Sequence, residues 1–160
     1  MIPPGDPPVP PAAGLAAAME EALRLAREAG DASEVPVGAV ALFEGRIVGR
    51  GRNRREEDRD PTAHAELLAL REASRTLGRW RLTGVTLVAT LEPCAMCAGA
   101  MVLARIDRLV YGADDPKAGA AGSLQDLTAD PRLNHRFPVE RGLRREDCAA
   151  LLREFFRARR

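Results

Sequence analysis

From Leu15 onward, apolar side chains return every third or fourth position, at Leu15, Ala18, Met19, Ala22, Leu23 and Ala26, and the series stops near Gly30. That period marks one face of an amphipathic helix. The rhythm then changes. "VPVGAVALFEGRIVGRG" is rich in β-branched residues and breaks at Glu44-Gly45, which predicts a hairpin of two strands, about 36–43 and 46–51. A charged loop, "RNRREEDRD", leads into "DPTAHAELLALREASRTLG", where Leu67, Leu70, Ala73 and Leu77 form a second helical stripe. Here Asp60 suits an N-cap, Pro61 the first helical position and Gly78 the stop.

The rest of the chain alternates in the same way. "GVTLVATLE" predicts a strand, the small and apolar "CAMCAGAMVLAR" after Pro93 a buried helix, and "DRLVYGA" a strand over about 107–113. A Gly- and Ala-rich loop, "DDPKAGAAGS", a short strand around Phe137–Glu140 and a helix from about Arg144 to Arg157 complete it. Strands alternating with helices imply an α/β fold whose second half is largely parallel. Residues 1–14, "MIPPGDPPVPPAAG", are proline-dense and aperiodic, so a disordered or polyproline-like extension is expected ahead of one domain over 15–160.

Composition narrows the classes. At 160 residues and 46% hydrophobic content, the chain can bury one substantial core. It holds no run of roughly 18 uncharged apolar residues and no signal-peptide pattern, so neither membrane insertion nor export is expected. Three cysteines, two of them within four positions, do not suit a disulfide framework; a reducing cytoplasm fits better. Lys and Arg total 24 against 23 acids, so total charge says nothing about a nucleic-acid partner. The arginines are nevertheless grouped, in "GRNRR", "RLNHR" and "REFFRARR".

The candidate chemistry centres on Cys94 and Cys97, placed on one face of the first turn of a helix, where the macrodipole favours thiolate. Cys-x-x-Cys alone also fits a redox pair, and zinc needs a further ligand. His64 supplies one. It stands two residues before Glu66 at the start of the other well-marked helix, where side chains tilt toward the N-terminus and both can approach a metal beyond the first turn. Three protein ligands leave one position for water, the mark of a catalytic zinc, and Glu66 is placed to carry that water's proton. His135, the second histidine, reads as part of a basic loop, and Cys148 as a small core residue.

His-x-Glu followed by Pro-Cys-x-x-Cys is the established signature of zinc nucleobase deaminases. Beyond it, "VPVGAV", "GRNR", "DPTAHAE", "TLEPCAMCAGAM", "YGADDPKAGAAGS", "NHR" and "FFR" resemble the bacterial tRNA-specific adenosine deaminases over nearly all of 15–160. The resemblance implies a three-layer α/β/α cytidine-deaminase-like fold with a central mixed five-stranded sheet. It further implies one Zn²⁺ per subunit, a homodimer, and a tRNA anticodon stem-loop whose wobble adenosine becomes inosine. Asn53 and Val37 would then meet the adenine, while Asp115 and Asn134 would contact nearby nucleotides. Asp115 would accept from a ribose 2′-OH, which RNA has and DNA lacks.

Blander readings stand beside these. Asn53 could cap its own turn, Asp115 could cap "PKAG", and Phe156 serves equally as a core residue or a base-stacking surface. Arg153, Arg157 and Arg160 recur at helical spacing as a stripe suited to phosphates. Two rival functions share parts of the pattern: a deaminase of a free base or nucleoside, guanine or cytosine, and a non-catalytic zinc-binding RNA module. The second has no use for Glu66.

Overall fold

The computed structural model describes residues 12–160. Its elements are α1 (Ala12–Asp31), β1 (Gly38–Phe43), β2 (Arg46–Arg52), α2 (Ala65–Leu77), β3 (Val85–Leu91), α3 (Ala95–Ala104), β4 (Arg108–Ala113), β5 (Val139–Arg141) and α4 (Arg145–Arg157). The sheet runs β2-β1-β3-β4-β5. β1 is antiparallel to both β2 and β3, whereas β4 lies parallel to β3 and β5 parallel to β4. This is the expected mixed five-stranded sheet.

Alternation along the strands divides the core in two. Ala39 and Ala41 of β1, with Leu87 and Ala89 of β3, face α2 and α3. Val40, Leu42 and Val88 point the other way, into the apolar stripe of α1 and Cys148 of α4. A strand exposes successive side chains to opposite faces, so these buried runs require a helical layer on each side. The result is three layers, α/β/α. Each fully buried side chain such as Leu23 or Leu87 contributes about 1.5–3 kcal/mol from removal of apolar surface.

Two boundaries differ from the sequence expectation. α1 begins at Ala12, so residues 12–14 of the expected extension are helical; residues 1–11 lie outside the described residues. α2 begins at Ala65 with His64 as its N-cap, not at Pro61 with Asp60 as cap. The Asp60 carboxylate instead accepts from the Thr62 N–H (2.8 Å) and hydroxyl (2.7 Å), while the Arg54 N–H donates to the Ala63 carbonyl (3.0 Å). Residues 60–63 form a turn, closed by the Ala63 N–H on the Asp60 carbonyl (3.1 Å) and tied to the segment beyond β2, and His64 after it is extended, which overrides the local cap signal.

Close approach of β2 to α2 depends on glycine. A Cβ on Gly51 would run into the carbonyl of Ala65, and one on Gly49 into that of Ala69. With only hydrogen there, β2 lies against α2 and brings Asn53 beside the helix N-terminus. Among the described residues no helix is long and apolar enough to cross a membrane.

Candidate active site

The strand register gathers the chemistry at one end of the sheet. Gly38 pairs with Arg52, Ala39 with Ala89, and Leu91 with Ala113, so Val37, Asn53, Glu92 and Asp115 follow from neighbouring strand ends. α2 and α3 start at the same end, with His64 and Cys94 as their N-caps. Both caps have extended backbones and neither side chain caps its own helix, which leaves the ring and the thiol free to face one another.

His64 Nδ1 stands 3.6 Å from Cys94 Sγ and 3.5 Å from Cys97 Sγ, and all three ligand atoms lie within 4.8 Å of one another. Zn–S bonds of about 2.3 Å and Zn–N bonds of about 2.0–2.1 Å at a tetrahedral angle give an N···S edge of about 3.5 Å. The trio therefore matches three corners of a zinc tetrahedron. His135 is elsewhere: its Nε2 bonds the Ile106 carbonyl at 2.7 Å. Cys148 is buried with its sulfur against Met19, as a core residue.

Charge in this cluster is tightly coupled. Contact with Cys97 and then His64 outweighs burial and brings the Cys94 thiol down to about 4, while the bond to Cys94 raises His64. Cys97 is pushed up by Cys94, by burial and by Glu66, and its thiol donates to Glu66 Oε2 at 2.9 Å. Burial raises Glu66, which is only 4% exposed. A carboxyl group whose proton is held more firmly by burial, beside a metal-binding trio, is suited to proton transfer.

A cavity of about 180 Å³ opens over these groups, lined by Val37, Asn53, His64, Glu66 and Asp115 among others. Asn53 Nδ2 donates to the Val35 carbonyl (3.2 Å) and Oδ1 accepts from the Arg55 N–H (3.1 Å). Asn53 thus caps its own turn and also lines the cavity. Asp115 likewise does both, since its Oδ1 accepts from the Lys117 and Ala118 N–H groups at 3.1 and 3.2 Å. Asn134 and Phe156 do not line this cavity. Asn134 Oδ1 accepts from Arg105 Nη1 (3.1 Å), and Phe156, 49% exposed, borders a separate hollow on α4 with Arg153, Arg157 and Arg160.

Glu92 has a part that the sequence did not reveal. Only 2% exposed, it accepts at Oε1 from the Asp115 N–H (3.0 Å) and the Ser123 hydroxyl. Its Oε2 accepts from the N–H groups of Ala121 (3.1 Å) and Ser123 (3.0 Å). One carboxylate thereby ties down the loop that carries Asp115. The available signal was an acid at the end of an apolar strand run, directly before Pro93; nothing in its spacing identifies partners 23–31 residues away.

Burial pushes Glu92 up, yet the bonds from Ser123, Asp115 and Ala121 prevail and hold it below the usual carboxylate range. Its ionised form therefore adds stability that is fully present above the unfolded value of about 4.3 and is lost as pH falls toward the folded value. Glu92→Gln turns one oxygen into an NH₂ that faces backbone donors. We expect it to cost about 3 kcal/mol at neutral pH, from unsatisfied buried groups, and to flatten the loss of stability on acidification. Urea unfolding at pH 7 and pH 4 measures both; equal stability of the two proteins at pH 7 would rule the clamp out.

Comparison with known proteins agrees with this geometry. Residues 14–113 match the family profile of the cytidine and deoxycytidylate deaminase zinc-binding region. The tRNA-specific adenosine deaminase of Bacillus subtilis (strain 168) is 48% identical over 139 residues, covering 87% of this chain and 86% of that protein. The chain belongs to the tRNA-specific adenosine deaminase family.

Solved structures of the family and its neighbours share the fold. A structure from a study of A-to-I editing by tRNA:A34 deaminases superposes with a TM-score of 0.80 at 46% identity, covering 85% of this chain and 99% of that one. Guanine deaminase from Nitrosomonas europaea matches more distantly, at TM-score 0.75 and 28% identity over 97% of each chain. The fold is thus the cytidine-deaminase-like one, the chain is a hydrolytic deaminase, and its His/Cys/Cys group fits one Zn²⁺ per subunit.

Proposed function

We propose that this deaminase converts the wobble adenosine of a tRNA anticodon to inosine, with release of ammonia. The observation that carries the chemistry is the buried Glu66, bonded to Cys97 of the metal-binding trio at the wall of the cavity. The choice of substrate is supported by 48% identity to a tRNA-specific adenosine deaminase across most of both chains.

His64, Cys94 and Cys97 hold the metal. Zinc, when bound, lowers the pKa of a coordinated water to about 7 and so supplies a nucleophile near neutrality. Glu66 takes a proton from the attacking water and delivers it to the purine ring nitrogen next to C6, then takes the remaining proton from the new C6 hydroxyl and passes it to the departing amine. The water oxygen stays on C6 and ammonia leaves. Asn53 orients the base: the protein uses one of its two amide hydrogens and one lone pair of its oxygen, so one donor and one acceptor remain for the adenine edge. Val37 packs against the base. Asp115 keeps Oδ2 for a ribose 2′-OH, and Asn134, Phe156 and the α4 arginines contact the flanking RNA.

A second copy of the chain completes the assembly. α3 carries no charged residue, and its outer side shows Met96 (36% exposed) and Leu103 (71% exposed), with Gly99 and Ala100 between them. A helix apolar on all sides is normally covered on all sides. Light scattering is expected to give twice the 17.3 kDa chain mass; a monomer would remove this assignment. Three free thiols suit a reducing cytoplasm, where tRNA is found.

The deciding experiment measures inosine in an anticodon stem-loop with adenine at the wobble position, beside a DNA copy of that loop and free adenosine, cytidine and guanine. Inosine in RNA well above DNA, with no ammonia from the small substrates, is the expected result. Ammonia from guanine alone would overturn the choice of substrate and keep the proton chemistry.

A further inference from the structure

The charges around the cavity oppose a polyanionic substrate. Glu66, Glu92 and Asp115 all line it, and the only lysine or arginine among the lining residues is Arg55. Arg55 also differs from the arginines just before it. Arg50 pairs with Glu21 (3.1 Å), Arg52 with Glu57 (2.8 Å) and Arg54 with Asp58 (3.0 Å). The exposed Arg55 side chain makes no hydrogen bond or ion pair among the described residues.

Its backbone, in contrast, is held in place. The Arg55 N–H donates to Asn53 Oδ1 at 3.1 Å, and the loop is pinned two residues later, where the Glu57 N–H donates to the buried Glu34 carboxylate at 2.7 Å. With its backbone already fixed, an uncommitted guanidinium at the cavity mouth has only side-chain freedom to lose on binding an anion, and the planar fork matches two phosphate oxygens.

We infer that Arg55 binds a phosphate flanking the target nucleotide and is a specificity-determining residue that favours a polynucleotide over a free base or nucleoside. This rests on the RNA substrate proposed above. Asn53 links the two functions: one amide fixes the backbone of the phosphate-binding residue and turns its remaining groups to the base. Without Arg55, no arginine or lysine would remain among the lining residues to oppose the carboxylates that perform and position the chemistry.

The test is the salt dependence of kcat/KM on the anticodon stem-loop. Each phosphate contact to a single strand contributes about 0.7 to the slope of log affinity against log salt. Arg55→Ala is expected to lower the slope by about that amount and to raise KM about tenfold at low salt, with kcat within about twofold and zinc content unchanged. Arg46→Ala removes one charge at the other end of the β1–β2 hairpin and should leave the slope unaltered. Stem-loops bearing one neutral methylphosphonate, 5′ or 3′ of the target, should locate the contact: one of them raises KM for the wild type but not further for Arg55→Ala.

A slope and KM for Arg55→Ala equal to those of Arg46→Ala would overturn the inference while leaving the RNA substrate standing. Wild-type enzyme inactive on every stem-loop but active on a free base would instead overturn the substrate reading, and this inference with it.

Discussion

Glu66→Gln is expected to lower kcat by about 10²–10⁴-fold, the usual contribution of a positioned proton carrier, while zinc content stays at one ion per chain. The two effects separate because Glu66 is not among the three atoms of the metal group. Its carboxylate is nearly buried and its ionisation is opposed first by that burial. A neutral amide of the same shape removes that cost, so the thermal midpoint should stay level or rise as activity falls. Such opposition is characteristic of a group kept for chemistry at some expense of stability. Turnover within tenfold of the wild type on the stem-loop would sink the proton-carrier role.

Removal of a metal ligand should act on both activity and folding. Cys97→Ala is expected to leave less than about a tenth of the zinc bound, to abolish measurable deamination, and to lower stability. A ligand that binds only the folded chain at a thousand times its dissociation constant adds about 4 kcal/mol, and this is the loss to look for. Cys148→Ala is the control: it removes a buried thiol on α4, costs some packing, and should retain full zinc. Zinc affinity of the wild type should also rise with pH. Neighbouring Cys94, burial and Glu66 keep the Cys97 proton in place, and that proton must leave when sulfur binds the metal. Metal analysis and thermal melts with and without a chelator check each point; full zinc occupancy in Cys97→Ala would exclude it as a ligand.

The candidate site was legible to the extent that its information is local. The spacing of Cys94 and Cys97 places both at the start of one helix, and the separation of His64 from Glu66 only works at a helix N-terminus, as found. The apolar rhythm located every strand and helix to within a few residues. The exception at Asp60 and Pro61 shows where such reading fails. A sound cap signal was overruled because residues 60–63 form a turn tied to the segment beyond β2, with Ala63 accepting from Arg54. That pairing is not visible in either segment alone.

Clamp and mouth belonged wholly to the tertiary structure. Glu92 reads as one acid in a motif until the parallel pairing of β3 with β4 brings Ala113 opposite Leu91 and delivers the following loop to its carboxylate. Arg55 is one arginine in a basic run until Arg50, Arg52 and Arg54 are seen to be committed to acids while Arg55, among the described residues, is not. The sequence by itself determined where the helices and strands lie, though not every boundary, and which side chains can bind zinc, because periodic burial and ligand spacing operate over a few residues. Only the tertiary structure decided which charges are satisfied and which remain free for substrate, because that depends on strand register and on partners tens of residues away.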